Sequence, residues 1–275
     1  MTNYDCYIID SSNLAYRCWW PLKDLKYNNI HTGLEFGFIR QMVSEFKSTN
    51  QDKIYLAWDG EPVRCKKILP SYKENRVKVN YDEPSWGPRL TRLREIFSTL
   101  CHTLYDPKEE ADEQIARFIN SNPDKKILII SNDKDLHQLI NQNVHVEYSG
   151  AILDENLCQQ IWKFPSYKIP LFKALDGDSS DNISGVYRLL TKTKMKLIEI
   201  SETLNDLINN FNSDFLTDKE KEKLQQYKDQ VVKNYEIVNL LGLSGNYTLI
   251  TPTGDDSNLR SIIQELNFGS IKYGR

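Results

Sequence analysis

Three short apolar runs lead into aspartate: Tyr7-Ile8-Ile9 before Asp10, Ile54-Tyr55-Leu56-Ala57-Trp58 before Asp59, and Ile127-Leu128-Ile129-Ile130 before Ser131, Asn132 and Asp133. Each run is a strand's length and rich in β-branched or aromatic residues. Helical patterns separate them, so the spacing predicts buried parallel strands of an α/β sheet. Ligands of such sheets collect at the carboxyl edge of the strands, where these acids fall. Glu110, Asp112 and Glu113, then Asp135, then Asp178 and Asp181 bring the acids that can converge there to nine. Carboxylates that crowded stay ionised only when cations neutralise them. Oxygen donors without a His or Cys cluster suit magnesium or manganese, which makes the edge a candidate divalent-metal phosphoryl-transfer site. Capping explains any single acid, such as Asp10 before Ser11-Ser12-Asn13 or Asp59 before Gly60, but not the recurrence at three strand ends.

The net charge of −3 argues against a nucleic-acid binder only until the nine candidate ligands are set aside; −3 + 9 leaves a scaffold of +6. Cys6, Cys18, Cys65, Cys101 and Cys158 are odd in number, scattered and without a C-x-x-C pair. They read as reduced thiols in a cytoplasmic setting. His31, His102, His137 and His145 lack ligand spacing. The amino-terminal apolar run is too short for a signal peptide, and no segment approaches a membrane span.

Residues 1–155 alternate strand and helix, with core stripes at Phe36, Ile39, Met42, Val43 and Phe46, at Leu90, Leu93, Ile96, Phe97 and Leu100, and at Ala111, Ile115, Phe118 and Ile119. Glu110 is expected in the turn before the third stripe, from which it, Asp112 and Glu113 can aim at one point. Residues 156–275 read as mainly helical, with a solvated packing helix over 217–241. Two basic segments stand out. Residues 64–88 mix Arg64, Lys67, Lys73 and Arg76 with Tyr72, and turn residues follow; cations that track phosphates and rings that stack on bases suit single-stranded nucleic acid. Residues 185–198 carry Arg188, Lys192, Lys194 and Lys196 without an acid after Gly185. A glycine turn followed by a helix start can hold phosphate without reading sequence. The last residues, 268–275, read as a fraying terminus, with docking of a replication protein as the alternative.

Taken in order, these motifs resemble the 5′-nuclease superfamily of flap endonucleases, polymerase 5′-nuclease domains and phage 5′–3′ exonucleases. Asp10 with the Ser-Ser-Asn-Leu that follows is similar to the first acidic strand, and Asp59 with Tyr72-Lys73-Glu74-Asn75-Arg76 to the second acid and a Y-K-x-x-R arch segment. Glu110-Ala111-Asp112-Glu113 resembles an E-A-D-D element with Glu in place of the final Asp. Asp133-Lys134-Asp135-Leu136-His137-Gln138-Leu139 resembles D-K-D-L-x-Q-L. Residues 177–186 resemble the G-D-x-x-D-N-I-x-G-V start of a helix–three-turn–helix, with Ser184 where Pro is common and no second glycine hairpin.

The resemblance implies a PIN-like α/β core, a mostly parallel sheet flanked by helices, with an arch over about 64–88 and a helix–three-turn–helix over about 172–200. It implies a two-metal 5′-nuclease acting on DNA with 5′ ends, flaps or nicks, with RNA primers as a second substrate class. Asp10, Asp59, Glu110, Asp112 and Asp133 would hold one Mg²⁺ or Mn²⁺. Asp135, Asp178 and Asp181 would hold the other, with Glu113 acting through water, while Lys73 and Arg76 would clamp the scissile phosphate. Arg64, Lys67, Tyr72, Gly185, Arg188, Lys192, Lys194 and Lys196 would contact DNA. The size fits a monomeric phage replication enzyme in the host cytoplasm. A non-catalytic junction binder and a PIN-type ribonuclease are the rival readings. Concentrated negative charge gains nothing for the first, and ribonucleases of the second kind are shorter and lack the 177–186 element.

Overall fold

The structure is a computed structural model, and it describes residues 4–75 and 86–273. Its strands are β1 (Cys6–Asp10), β2 (Lys26–Tyr27), β3 (Ile30–His31), β4 (Ile54–Ala57), β5 (His102–Leu104), β6 (Ile127–Ile130), β7 (Val144–Tyr148), β8 (Ala151–Leu153), β9 (Gly177–Asp178), β10 (Ile183–Ser184) and β11 (Leu249–Ile250). Among the described residues, seven of these form one sheet in the order β11-β5-β4-β1-β6-β7-β8. The five central strands are parallel, and β11 and β8 close the edges antiparallel. The three aspartate-terminated runs are therefore the three adjacent central strands β4, β1 and β6. From β1 the chain adds β4 and β5 on one side, then returns to add β6 and β7 on the other. That reversal is the topological switch point, where open α/β sheets leave a crevice at the carboxyl edge.

Side chains alternate across the sheet, and both faces are covered, so the strands read as continuous apolar runs. Ile9, Ile54 and Leu56 join one core with α1 (Ser11–Trp19), α2 (Gly33–Ser48) and, after α3 (Val63–Ile68), α4 (Trp86–Ser98). Ile8, Tyr55, Ala57 and Ile129 join the other with α5 (Ala111–Asn120), α6 (Glu155–Trp162), α7 (Ile169–Asp176), α8 (Thr191–Glu199), α9 (Leu204–Asn209) and α10 (Asp218–Gln226). The helix α11 (Lys228–Val238) packs on α7 and α3. The carboxyl-terminal part returns to the sheet: β11 pairs with β5, and α12 (Ser257–Glu265) buries Leu259 and Ile262 against the first core. The described part of the chain end, through residue 273, is not frayed as expected. Phe268 is 5 % exposed and meets Phe36 edge-on with ring centroids 5.2 Å apart, and Ile271 is buried with it. Two apolar anchors separated by a turn were enough to dock the segment. No helix among the described residues is long and apolar enough to cross a membrane. All five cysteines are free, and His137 is a core residue, accepting from Trp162 Nε1 at 3.1 Å.

Candidate metal and nucleic-acid site

At the strand ends the acids also accept backbone N–H groups of the segments that follow or pack beside them. Asp10 ends β1 and caps α1, one oxygen accepting from Asn13 N at 3.1 Å. Asp59 accepts from Ala111 N at 2.9 Å, satisfying a donor that α5 cannot pair internally. Asp133 accepts from Asp135 N at 2.8 Å. Each acid thus spends one oxygen on a backbone N–H. Ser131, which the sequence did not single out, ties two of them. Its hydroxyl donates to the second oxygen of Asp10 at 2.8 Å and accepts from Asp133 N at 3.0 Å. Gly60 closes the turn after Asp59; a Cβ there would lie 2.2 Å from the carbonyl oxygen of Asp106.

Glu110 precedes α5 with extended backbone, as expected, so Glu110 and Asp112 converge beside Asp59. Glu113 does not join them. It is 1 % exposed, one oxygen accepts from Glu110 N at 3.1 Å, and the other is ion-paired with Arg64. The longer side chain folds back as a helix cap, which removes its expected metal-water role. Arg64 is likewise turned inward rather than towards nucleic acid, donating also to the carbonyls of Glu236 and Ile237 at 2.5 and 3.0 Å, and so fastens α3 to α11.

The other acids come from a tight loop. Gly177 (φ +77°) pairs with Ser184 in the β9–β10 ladder and packs against the backbone of Gly185 just beyond it. A Cβ on Gly177 would lie 2.3 Å from Gly185 N, and one on Gly185 would lie 2.0 Å from the Asp176 carbonyl oxygen. Gly185 is thus required by packing between backbones. The loop brings Asp178 and Asp181 to Asp135, with carboxylate oxygens of all three within 4.8 Å of one another.

Two lysines sit among these acids. Lys73 adopts φ +60°, a left-handed conformation costing a non-glycine residue about 1–2 kcal/mol. Its ammonium is paired with Glu110 and lies 3.7 Å from Asp181. Lys173 of α7 pairs with Asp135 and reaches Asp178 at 2.8 Å. Lys173 was absent from the expected site, although a lone cation in the apolar run 169–175 is a signal, since a buried ammonium requires a partner. Tyr72 is buried rather than stacked on bases; its hydroxyl donates to Glu110 at 3.1 Å and Asp181 at 3.0 Å. Lys73 N bonds the Asp181 carbonyl at 3.0 Å and Asn182 Nδ2 the Ser71 carbonyl at 2.8 Å, fastening the segment after α3 to the acidic loop.

The electrostatics follow from burial first and from crowding second. Burial, then Asp59, pushes Asp10 up to about 7. Burial and Glu110 hold Asp112 well above the usual carboxylate range. Burial raises Glu110 against the opposing pull of Lys73. Burial lifts Asp135 to about 6, with Lys173 opposing and Asp133 assisting. Asp178 goes the other way: burial pushes it up, but Lys173 beside it outweighs that and holds it below its ordinary value.

The acids floor a groove of about 1160 Å³ whose walls include Tyr16, Lys73, Trp86, Arg94 and Tyr105. Tyr16 and Trp20 are about half exposed and stacked at 6.0 Å, with Trp86 edge-on to Tyr16, an aromatic cluster drawn from segments far apart in the sequence. Of the remaining basic residues, Lys67, Arg188, Lys192 and Lys196 are exposed, with Lys196 over the Phe215 ring at 4.3 Å. Lys194 is 8 % exposed and paired with Asp176 at 2.7 Å, so it faces the core and not a ligand. Arg76 and the rest of the arch through residue 85 lie outside the described residues.

Comparison with known proteins agrees with this architecture. The model of the 5′-3′ exonuclease N-terminal resolvase-like domain matches residues 5–163, and that of the 5′-3′ exonuclease C-terminal SAM fold matches residues 164–242. The chain is 28% identical to a 5′-3′ exonuclease of Aquifex aeolicus, covering 96% of this chain and 93% of that protein. It is 29% identical to one of Mycoplasmopsis pulmonis, covering 85% and 79%. It is also 28% identical to DNA polymerase I of Caldicellulosiruptor bescii, but spans only 32% of that relative's length. In fold it is similar to the T5 5′-exonuclease with bound zinc (TM-score 0.69, 19% identity, 86% of this chain and 89% of that one). It is also similar to the catalytic core of Rad2 in complex with DNA substrate (TM-score 0.59, 13% identity, 96% and 88%).

Proposed function

The chain belongs to the 5′-3′ exonuclease family, and we propose that this nuclease is a structure-dependent enzyme that uses two divalent ions to hydrolyse phosphodiester bonds near DNA 5′ ends, flaps and nicks. The observation that carries the reading is the seating of Lys73 and Lys173 among carboxylates at the switch point, which marks two places where positive charge is required. The donor set fits Mg²⁺ or Mn²⁺: it is all oxygen, and burial, with a neighbouring carboxylate behind it, raises Asp10 and Asp112. In this reading Asp10, Asp59, Glu110, Asp112 and Asp133 hold one ion, and Asp135, Asp178 and Asp181 the other. Such ions lower the pKa of an attacking water and neutralise charge on the leaving oxygen.

The chain's own residues do the rest. Ser131 and the backbone donors at Asn13, Ala111 and Asp135 hold the carboxylates in place before substrate arrives, which is the preorganisation that catalysis needs. Lys73 stands where its ammonium can donate to a phosphate oxygen drawn over Glu110, and Arg76 is assigned the same task. Tyr16 and Trp86 offer faces on which unpaired bases stack. Lys67, Arg188, Lys192 and Lys196 contact backbone phosphates without reading sequence. RNA:DNA hybrids are a second substrate class of the same site. The test is cleavage of a labelled 5′-flap duplex and its hybrid counterpart in magnesium. Products at the flap junction that vanish with chelator are expected; intact substrate at saturating protein would overturn the assignment.

A further inference from the structure

The groove does not end at the acids. It continues past β4 to the end of β5, where Tyr105 and the helix α4 wall it. Since β5 runs parallel beside β4, Tyr105 lies about 5 Å further along the sheet edge, one strand spacing. The Arg94 guanidinium lies over the Tyr105 ring, 3.6 Å from its centroid. The neighbouring arginines of α4 have carboxylate partners, Arg89 with Glu35 and Arg92 with Glu265. Among the described residues no ion pair engages Arg94. A guanidinium held by its face keeps its N–H edge for a ligand, and that planar fork matches a phosphate oxygen pair.

The groove also has a direction. At Asp133 and Ser180 it meets a second cavity lined by Asp135, Lys173 and Asp178, on the side of the loop that leads into α8 and its exposed Lys192 and Lys196. Lys192 and Lys196, assigned to backbone phosphates, are on that side. Arg94 lies on the opposite side of the acids, beyond β4.

We propose that Arg94, stacked on Tyr105, binds a phosphate of the unpaired strand leaving the metal site, and so favours substrates with a 5′ extension. This rests on the nuclease reading and deepens it. The experiment compares single-turnover cleavage, at saturating magnesium, of a duplex with a five-nucleotide 5′ flap and of a nicked duplex with none. Arg94→Ala is expected to slow flap cleavage at subsaturating enzyme about 10-fold or more, the scale of one charge-assisted contact, while nick cleavage changes less than about 2-fold. Neutral methylphosphonate linkages, placed singly at the first three flap positions, locate the contact. One position should slow wild type and add nothing to Arg94→Ala, the non-additivity of groups that touch. Tyr105→Phe, which keeps the ring face, should behave as wild type, and Arg94→Lys, which loses the fork, should fall between. Equal slowing of flap and nick by Arg94→Ala, or additive methylphosphonate effects at all three positions, would overturn the proposal while leaving the nuclease reading intact. Wild-type inactivity on both substrates would overturn the nuclease reading, and this proposal with it.

Discussion

Removing Lys173 should separate the charge requirement of the site from its chemistry. The ammonium is nearly enclosed, with its side chain 10 % exposed, and it pairs with Asp135 and Asp178, which are themselves only about a fifth exposed. In Lys173→Ala, two carboxylates remain close together with no cation between them. Breaking a buried pair by deleting one partner costs about 3–5 kcal/mol. Here the lower end applies, since Asp135 already sits at about 6 and escapes part of the penalty by taking a proton. For a chain of this size about 3 kcal/mol is a drop of roughly 6–12 °C in Tm. The sign with pH is fixed by the raised value of Asp135. The folded state binds more protons than the unfolded one between about pH 4 and 6, so its stability falls as pH rises through that window. Deleting the ammonium that opposes the rise lifts Asp135 further, so the variant should lose least at pH 5, where that carboxyl takes a proton, and most at pH 8 in metal-free buffer. Magnesium offers the missing charge, and a ligand at about 100 times its Kd returns about 2.7 kcal/mol. Thermal melts with and without magnesium at both pH values read all of this. A magnesium-induced rise in Tm no larger in Lys173→Ala than in wild type would refute the reasoning.

Asp178→Asn combined with Asp181→Asn should keep flap-DNA affinity in a gel-shift assay while single-turnover cleavage falls by orders of magnitude, because removing negative charge cannot weaken attraction to phosphate. Lys194→Ala should destabilise the fold in a urea melt by about 1–3 kcal/mol, since Asp176 loses a buried partner, yet leave the salt dependence of DNA binding unchanged. Lys192→Ala should do the reverse, flattening that dependence by about one charge without altering the melt.

The acids at the strand ends were legible in the sequence because a buried parallel strand is a continuous apolar run and its carboxyl end is where the run stops. The E-A-D-E cluster and the Gly-Asp loop were legible through motif order. What the sequence hid was the direction of side chains. Arg64, Tyr72 and Lys194 all belong to segments that read as basic and exposed, and each turns inward. Arg64 and Lys194 do so because α3 and α8 have one face against the protein, Tyr72 because the turn after α3 packs on the acidic loop, and composition does not say which side chains turn. Glu113 shows the same limit on the acidic side: its extra methylene lets the carboxylate fold back onto the α5 terminus and meet Arg64. Lys173 and Arg94 went unnoticed because each acquires its meaning from a partner outside its own helix, Asp135 for one and Tyr105 for the other.

The central claim is that the carboxyl edge binds two divalent ions for phosphodiester hydrolysis, and it is tested most directly by the magnesium dependence of single-turnover cleavage on a 5′-flap substrate. The rate should rise with about the second power of magnesium concentration below saturation and should vanish in chelator. Calcium should support binding without turnover, since its ligands lie at longer distances in looser geometry. Asp10→Asn should abolish cleavage without unfolding the protein. Cleavage that survives both chelator and Asp10→Asn would contradict the account.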